Sequence, residues 1–165
     1  MNRNSMKTIL FLLCCIVFQI NTYAQPKQEA EKTFLTALNN IIKNTKEENE
    51  GFKFDGEKVI EQEFAINEQG ILSLTLRYNN NDGTFYKSRM EAPINKIEGI
   101  SYDLYLILEF KNEDITWHKT DINSNEITEK STSSYLHIGV PWPEDIRHKE
   151  NLQKLLEELL KFYKE

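Results

Sequence analysis

The sequence contains very little cysteine: there are two cysteines in 165 residues. Both of them, Cys14 and Cys15, lie near the amino terminus, and no thiol follows them. Beyond this point the chain cannot form a disulfide, a cysteine-ligated zinc site or a cysteine nucleophile. A domain built from residues 25–165 must therefore be stabilised by its apolar core, and a chain of that length is long enough to form one.

Glycine and proline are also scarce, with six and four residues. The chain has no glycine-rich phosphate-binding loop, and no serine stands in a G-x-S-x-G motif. Ser133, Ser134 and His137 are close in sequence, and Asp145 follows, but no glycine-rich turn accompanies them to form an oxyanion hole. We therefore predict no catalytic residue and no cofactor, and a hydrolase or a metal-dependent enzyme is an alternative that no motif supports.

Long apolar runs are absent except for one, which covers residues 9–18 and follows Arg3 and Lys7. A positive segment followed by an apolar run of about ten residues is typical of a secretory signal peptide. A membrane-spanning helix needs roughly 20 apolar residues, so this run is too short. We predict a signal peptide over residues 1–24 with cleavage after Ala24, and a single domain over residues 25–165. The protein is then periplasmic or extracellular, without a stable membrane span once the leader is removed.

Positive charge is in deficit. The formal net charge is −6, and because the predicted leader carries only Arg3 and Lys7, the remaining chain carries −8. Such acidity disfavours nucleic acid and anionic lipid as partners. We expect the partner to be a protein or a small molecule. A protein partner includes a second copy of this chain, which would give a homodimer.

The apolar pattern changes its period along the chain. Residues 29–43 and 143–164 repeat apolar side chains every three or four positions, which predicts two amphipathic helices. Between them the period is two, which predicts strands. The strongest segment covers residues 102–110, where Leu104, Leu106, Leu108 and Phe110 alternate on one face. The strands are predicted over residues 58–66, 71–78, 84–92, 101–110, 114–120 and 126–140.

Short turns join most of these strands, and the phase of the last one slips at residues 131–134, which predicts a bulge or a break. The fold class predicted is α+β: a six-stranded, mostly antiparallel meander sheet with the N-terminal and C-terminal helices packed on one face.

The opposite face of that sheet is the first candidate site, because aromatic, aliphatic and basic side chains would share it. We interpret the protein as a non-catalytic binding module that uses this open face, unless the sheet curls or dimerises and buries it. The side chains of this face are Ile71, Arg77, Phe85, Lys87, Arg89, Tyr105 and Ile107.

An apolar-ligand pocket between the sheet and the helices is the alternative site. Four large side chains of the inward phase would line it: Tyr78, Tyr86, Met90 and Trp117. In this alternative the protein binds a small apolar molecule.

Metal chemistry has weak support. Residues 121–125 match the first half of a calcium-binding loop, but the required Gly and Glu are replaced by Glu126 and Thr132. His118 and His137 would approach Glu129 only if their strands were neighbours, and no recognised ligand spacing links them. We predict no metal site.

Overall fold

The computed structural model describes residues 25–45, 56–121, 126–140 and 146–163. The predicted signal peptide and the centre of the calcium-like segment lie outside these residues, as do Trp142 and the predicted start of the second helix. No helix of the described segments is long and apolar enough to cross a membrane.

Two helices and eight strands are present in the described chain, and the α+β class is confirmed. Helix α1 covers residues 25–44 and α2 covers Arg147–Leu160, with a single 3₁₀ turn at Ile94–Lys96. The strands are β1 Gly56–Ile66, β2 Ile71–Asn80, β3 Phe85–Pro93, β4 Ile97–Asp103, β5 Tyr105–Phe110, β6 Ile115–Asp121, β7 Ile127–Ser133 and β8 Tyr135–Gly139.

The strands form two antiparallel sheets, so the prediction of one six-stranded sheet is wrong. The large sheet has the order β1-β2-β3-β6-β7, and the small sheet has the order β4-β5-β8. Every pairing is antiparallel, as predicted. The two additional strands arise because two of the predicted strands are each divided by one residue.

The first division is at Leu104, inside the segment predicted as the central strand. Leu104 has a φ of 62° and is 61% exposed, and the chain reverses there so that Ser101 pairs with Ile107. A left-handed leucine is unusual, because its Cβ crowds the backbone in that region. On the far side of the turn the predicted alternation is kept, and Leu106, Leu108 and Phe110 are buried.

The second division is at Ser134, where the sequence predicts a bulge or a break, and this prediction is confirmed. Strand β7 pairs with β6 in the large sheet, whereas β8 pairs with β5 in the small sheet. The Phe110 amide donates to the Ser134 carbonyl oxygen at 2.9 Å, close to the point of transfer. The chain therefore passes from one sheet to the other at Ser134.

One hydrophobic core joins both sheets and both helices. The predicted apolar stripes are buried: Phe34, Leu38, Ile41 and Ile42 in α1, and Leu152, Leu156, Leu159 and Leu160 in α2. The sheets contribute, among others, Phe64, Leu72, Leu74, Met90, Ile115, Leu106 and Leu136. Each buried Leu or Phe side chain contributes roughly 1.5–3 kcal/mol, so the helices stabilise the fold as much as the strands do.

The helices do not lie on one face of a single sheet, as the sequence had predicted. Helix α1 is tied to the large sheet, where the Asn39 side chain exchanges two hydrogen bonds with the Phe64 backbone at 3.1 and 2.8 Å. Helix α2 packs beside β4 of the small sheet, where the Gln153 side chain accepts a hydrogen bond from the Ile100 amide at 2.9 Å. The helices also meet each other, since Tyr163 after α2 donates to Glu31 of α1.

Candidate functional site

An open groove lies on the same face of the large sheet that carries the core. Toward one end of this face the side chains are buried, as at Leu74 and Met90, and toward the other end they become accessible. The groove has a volume of about 340 Å³. Its lining comes from four adjacent strands: Tyr78 of β2, Tyr86 and Ser88 of β3, Trp117 and Lys119 of β6, and Glu129 and Ser131 of β7.

The turn between β2 and β3 places the two tyrosines opposite each other. Gly83 has a φ of 83°, and the Asn80 amide donates to the Thr84 carbonyl oxygen at 2.7 Å. Asp82 accepts hydrogen bonds from the Thr84 hydroxyl and amide, and these hydrogen bonds lower the pKa of its carboxyl. The sequence NNNDG predicts this turn, because Asn, Asp and Gly tolerate positive φ.

The register set by that turn pairs Tyr78 with Tyr86. Their rings are stacked, with centroids 5.0 Å apart and an interplanar angle of 13°. Burial raises the pKa of the Tyr86 hydroxyl, and the Glu129 carboxylate raises it further. Both effects move ionisation of Tyr86 further above physiological pH, where a tyrosine hydroxyl is neutral and can donate or accept a hydrogen bond.

One ion pair belongs to the groove. The Lys119 Nζ lies 3.8 Å from a Glu129 carboxylate oxygen and 4.3 Å from the centroid of the Tyr86 ring. A lysine over a tyrosine ring is a cation–π contact. The cation of the groove is therefore held by a carboxylate and an aromatic face together.

Two hydroxyls complete the polar lining. The side-chain hydroxyls of Ser88 and Ser131 form no hydrogen bond with another residue of the described segments. Trp117 is half-buried and packs against the core below the groove. The groove thus combines three aromatic side chains with polar groups that are accessible to a bound molecule.

The structure brings together three of the four residues of the alternative pocket. Tyr78, Tyr86 and Trp117 line the groove, whereas Met90 is fully buried in the core, where it pairs with Trp117. All the groove residues belong to strands, so the groove does not lie between the sheet and the helices. The sequence did not predict the polar residues of the groove, which are Ser88, Lys119, Glu129 and Ser131. The period of two in β6, which puts Lys119 on the same face as Trp117, is the signal that could have identified Lys119.

The basic residues of the other candidate site lie on the outer face of the large sheet and are paired. Glu61 contacts Lys87 at 2.6 Å and Arg77 at 3.6 Å, and Glu91 contacts Arg89 at 2.8 Å. Because these carboxylates neutralise the cations, the outer face is an ion-pair network. Phe85 is 41% exposed, with the Arg77 guanidinium carbon 5.8 Å from its ring centroid, and Ile71 is half-buried on the same face.

The remaining two residues of that set lie in the small sheet. Tyr105 packs edge-on against His137 with 5.8 Å between ring centroids, and Ile107 is buried. The seven residues are therefore divided between two sheets.

The histidines considered for metal binding are separated in the same way. His118 is in β6 of the large sheet and His137 is in β8 of the small sheet, and these strands are not neighbours. His118 lies on the outer face, where its Nε2 is 3.9 Å from Glu91, whereas Glu129 faces the groove. The described residues contain no group of three or more metal-binding side chains.

A second cleft of about 450 Å³ lies between α1 and α2. It is larger than the groove. Its lining combines aliphatic side chains with helix-surface amides, two threonines, Glu29, Lys32 and His148, and the histidine is its one aromatic ring among the described residues. We regard the groove as the better site, because rigid aromatic side chains with a few placed polar groups are typical of ligand sites.

Comparison with models of protein families, with curated proteins and with solved structures finds no match to this chain. The geometry of the groove is therefore the basis on which function is argued.

Proposed function

We propose that the protein is an exported, non-catalytic binding domain whose ligand lies in the groove over Tyr78, Tyr86 and Trp117. The observation that supports this is the convergence of three aromatic side chains from three adjacent strands beside accessible hydroxyls and one ion pair. Aromatic rings on a paired sheet are held rigidly, so binding a flat ligand surface costs them little conformational entropy.

A binding role fits the charges of the groove better than a catalytic one. Lys119 and Glu129 neutralise each other, and the nearest histidine in the strand, His118, points to the opposite face. General acid–base catalysis needs a group whose protonation state changes near the working pH. The groove offers its ligand contact surface and hydrogen bonds.

A thermal-shift screen of the purified protein against apolar compounds, oligosaccharides and short peptides tests the proposal. We expect at least one class to raise the melting temperature, and we expect Ser131→Trp, which fills the groove from an exposed position, to abolish that rise. Lys130→Trp, at the neighbouring exposed position on the outer face of β7, is the matched control and retains it. Stabilisation that survives Ser131→Trp places the ligand elsewhere and contradicts the proposal.

Phe85 favours a second candidate function, in which the outer face of the large sheet binds a protein partner. It is a large apolar side chain that is 41% exposed amid ion pairs. Phe85→Asp would then abolish capture of a partner from the cell envelope without changing the melting temperature. Capture that is unaffected by Phe85→Asp removes this candidate.

A further inference from the structure

The charge balance of the groove restricts what it binds. Among its described lining residues the one ammonium, of Lys119, and the one carboxylate, of Glu129, are 3.8 Å apart and neutralise each other. A phosphate or another strong anion would have to displace Glu129 from Lys119 within a chain of net charge −6. The groove therefore matches a ligand without net charge.

The backbone beneath the three aromatic rings is already paired. Strands β2, β3 and β6 have a neighbour on both sides, and β7 is an edge strand of the described sheet. Peptides that bind a sheet usually do so by adding a strand, and their affinity comes from main-chain hydrogen bonds. A ligand over the rings can use side chains only, which disfavours an extended peptide there.

A purely apolar ligand is also a poor match. The groove is open, and an apolar molecule in it would cover the hydroxyls of Ser88 and Ser131 and the Lys119–Glu129 pair. Covering polar groups without replacing their hydrogen bonds to water costs free energy. The ligand should therefore carry donors and acceptors around an apolar face.

We propose that the ligand is a neutral saccharide, an inference that rests on the proposed function of the groove. The C–H bonds on one face of a pyranose ring make an apolar, slightly positive surface, which stacks on the negative face of the Trp117 indole. The Tyr86 ring is not that surface, because Tyr78 and Lys119 already contact it. The hydroxyls at the rim of the sugar accept a hydrogen bond from Lys119 and donate to Glu129, while Ser88 and Ser131 serve either role. An open groove leaves room for the ring to belong to a longer chain.

Isothermal titration calorimetry of the full protein with neutral oligosaccharides tests this. The probes are hexamers of β-1,4-linked glucose, β-1,4-linked N-acetylglucosamine, α-1,4-linked glucose and β-1,3-linked glucose. A hexamer of galacturonic acid, an extended aromatic hexapeptide and a fluorescent apolar dye are the comparison ligands. We expect at least one neutral hexamer to bind and the acidic hexamer to bind at least tenfold more weakly.

Three variants assign the binding to the groove. Removing the stacking ring with Trp117→Ala is expected to weaken binding about tenfold. Ser131→Trp, which changes only an exposed position, is expected to abolish binding with the fold intact, so a folding defect in Trp117→Ala does not decide the result. Lys130→Trp, at the neighbouring exposed position on the outer face of β7, leaves affinity unchanged.

The outcomes separate the two proposals. If the dye or the peptide binds and Ser131→Trp abolishes that binding while no neutral hexamer binds, the groove is a ligand site and the saccharide assignment is wrong. If a neutral hexamer binds equally well to wild type and Ser131→Trp, both the groove and the assignment are wrong. Binding of the acidic hexamer in preference to the neutral ones also overturns the assignment.

Discussion

Tyr163 joins the end of the chain to the first helix through one hydroxyl. It donates to a Glu31 carboxylate oxygen at 2.5 Å, and the Lys27 Nζ lies 4.3 Å from the centroid of its ring. Burial raises the pKa of the Tyr163 hydroxyl, and the hydrogen bond to Glu31 and the charge of that carboxylate raise it further. Loss of the Tyr163 proton therefore destabilises the native state.

This gives a prediction for alkaline pH. An unfolded tyrosine ionises near pH 10, whereas folded Tyr163 still holds its proton there. Above that pH the unfolded state binds fewer protons than the native state, so the free energy of unfolding falls as pH rises. Tyr163→Phe should make this decline shallower from about pH 10 upward, measured by urea denaturation at several pH values.

Part of the decline should remain in Tyr163→Phe, because the pKa of Tyr86 is raised as well. In the double variant Tyr163→Phe, Tyr86→Phe the free energy of unfolding should decline with pH more slowly still. Identical profiles for wild type and Tyr163→Phe would mean that the hydroxyl is not held by Glu31 in solution.

Gly70 is a second position at which a single added atom, the Cβ of a larger residue, would affect stability. Its φ is 74°, and a Cβ built on it would lie 2.6 Å from the Cε1 of Tyr163, whose ring Glu31 holds in place. We predict that Gly70→Ala lowers the free energy of unfolding by about 2–4 kcal/mol, from left-handed strain plus steric overlap.

Gly83→Ala is the matched control, because Gly83 has a φ of 83° and nothing within 4 Å of the built Cβ. Gly83→Ala should lower the free energy of unfolding by the backbone strain alone, about 1–2 kcal/mol. Equal losses for both variants, measured by chemical denaturation, would show that Tyr163 does not pack on Gly70.

At the scale of single elements, turn residues decided what could be predicted. The β2–β3 hairpin follows from NNNDG, and its register brings the two groove tyrosines together. The β4–β5 hairpin turns on Asp103, Leu104 and Tyr105, which contain no glycine or asparagine. Because the apolar alternation continues across this turn, the sequence reads as one long strand, and only tertiary pairing reveals the reversal.

Leu104 should therefore tolerate replacement, unlike the leucines beside it. It is 61% exposed with a φ of 62°, a conformation that asparagine adopts at less cost than leucine. We predict that Leu104→Asn raises the free energy of unfolding by about 0.5–1 kcal/mol. Leu106→Asn, at a fully buried neighbour, is the control and should be strongly destabilising. If Leu104→Asn were as destabilising as Leu106→Asn, residues 102–110 would form one buried strand.

The contact between α1 and β1 repairs an irregularity in the large sheet. The register of β1 with β2 shifts between Gln62 and Ala65, and Phe64 lies inside that shift. Asn39 donates to the Phe64 carbonyl oxygen and accepts from its amide, in place of a neighbouring strand. A helix side chain therefore satisfies backbone groups that a bulge would leave unpaired.

Asn39→Ala should leave both Phe64 groups without a partner and cost about 2–3 kcal/mol. Asn40→Ala, at the adjacent exposed position, is the control and should stay within about 0.5 kcal/mol of wild type. Urea denaturation gives both values, and hydrogen exchange of the Phe64 amide should accelerate in Asn39→Ala alone. Unchanged exchange at Phe64 would contradict the account of the bulge.

At the scale of the whole molecule, sequence reasoning found the elements but not their division into sheets. The β3–β6 pairing skips β4 and β5, and Ser134 sends the chain from the large sheet to the small one. Such pairings depend on contacts between distant segments, which a local period of two does not contain. For the same reason the sequence grouped Tyr78, Tyr86 and Trp117 on one face, but it did not place Glu129 and Ser131, which arrive on another hairpin, beside them.

The central claim is that one face of the large sheet is core at one end and ligand groove at the other. The most direct measurement is the NMR spectrum of the ¹⁵N-labelled protein titrated with the oligosaccharide that binds most tightly in calorimetry. Each tryptophan gives one indole N–H signal, and Trp142→Phe identifies that of Trp117. We predict that the Trp117 indole and the amides of Tyr78, Tyr86 and Lys119 shift together and saturate at one affinity. Shifts confined to the outer face or to the cleft between the helices, with the Trp117 indole unmoved, would contradict the account.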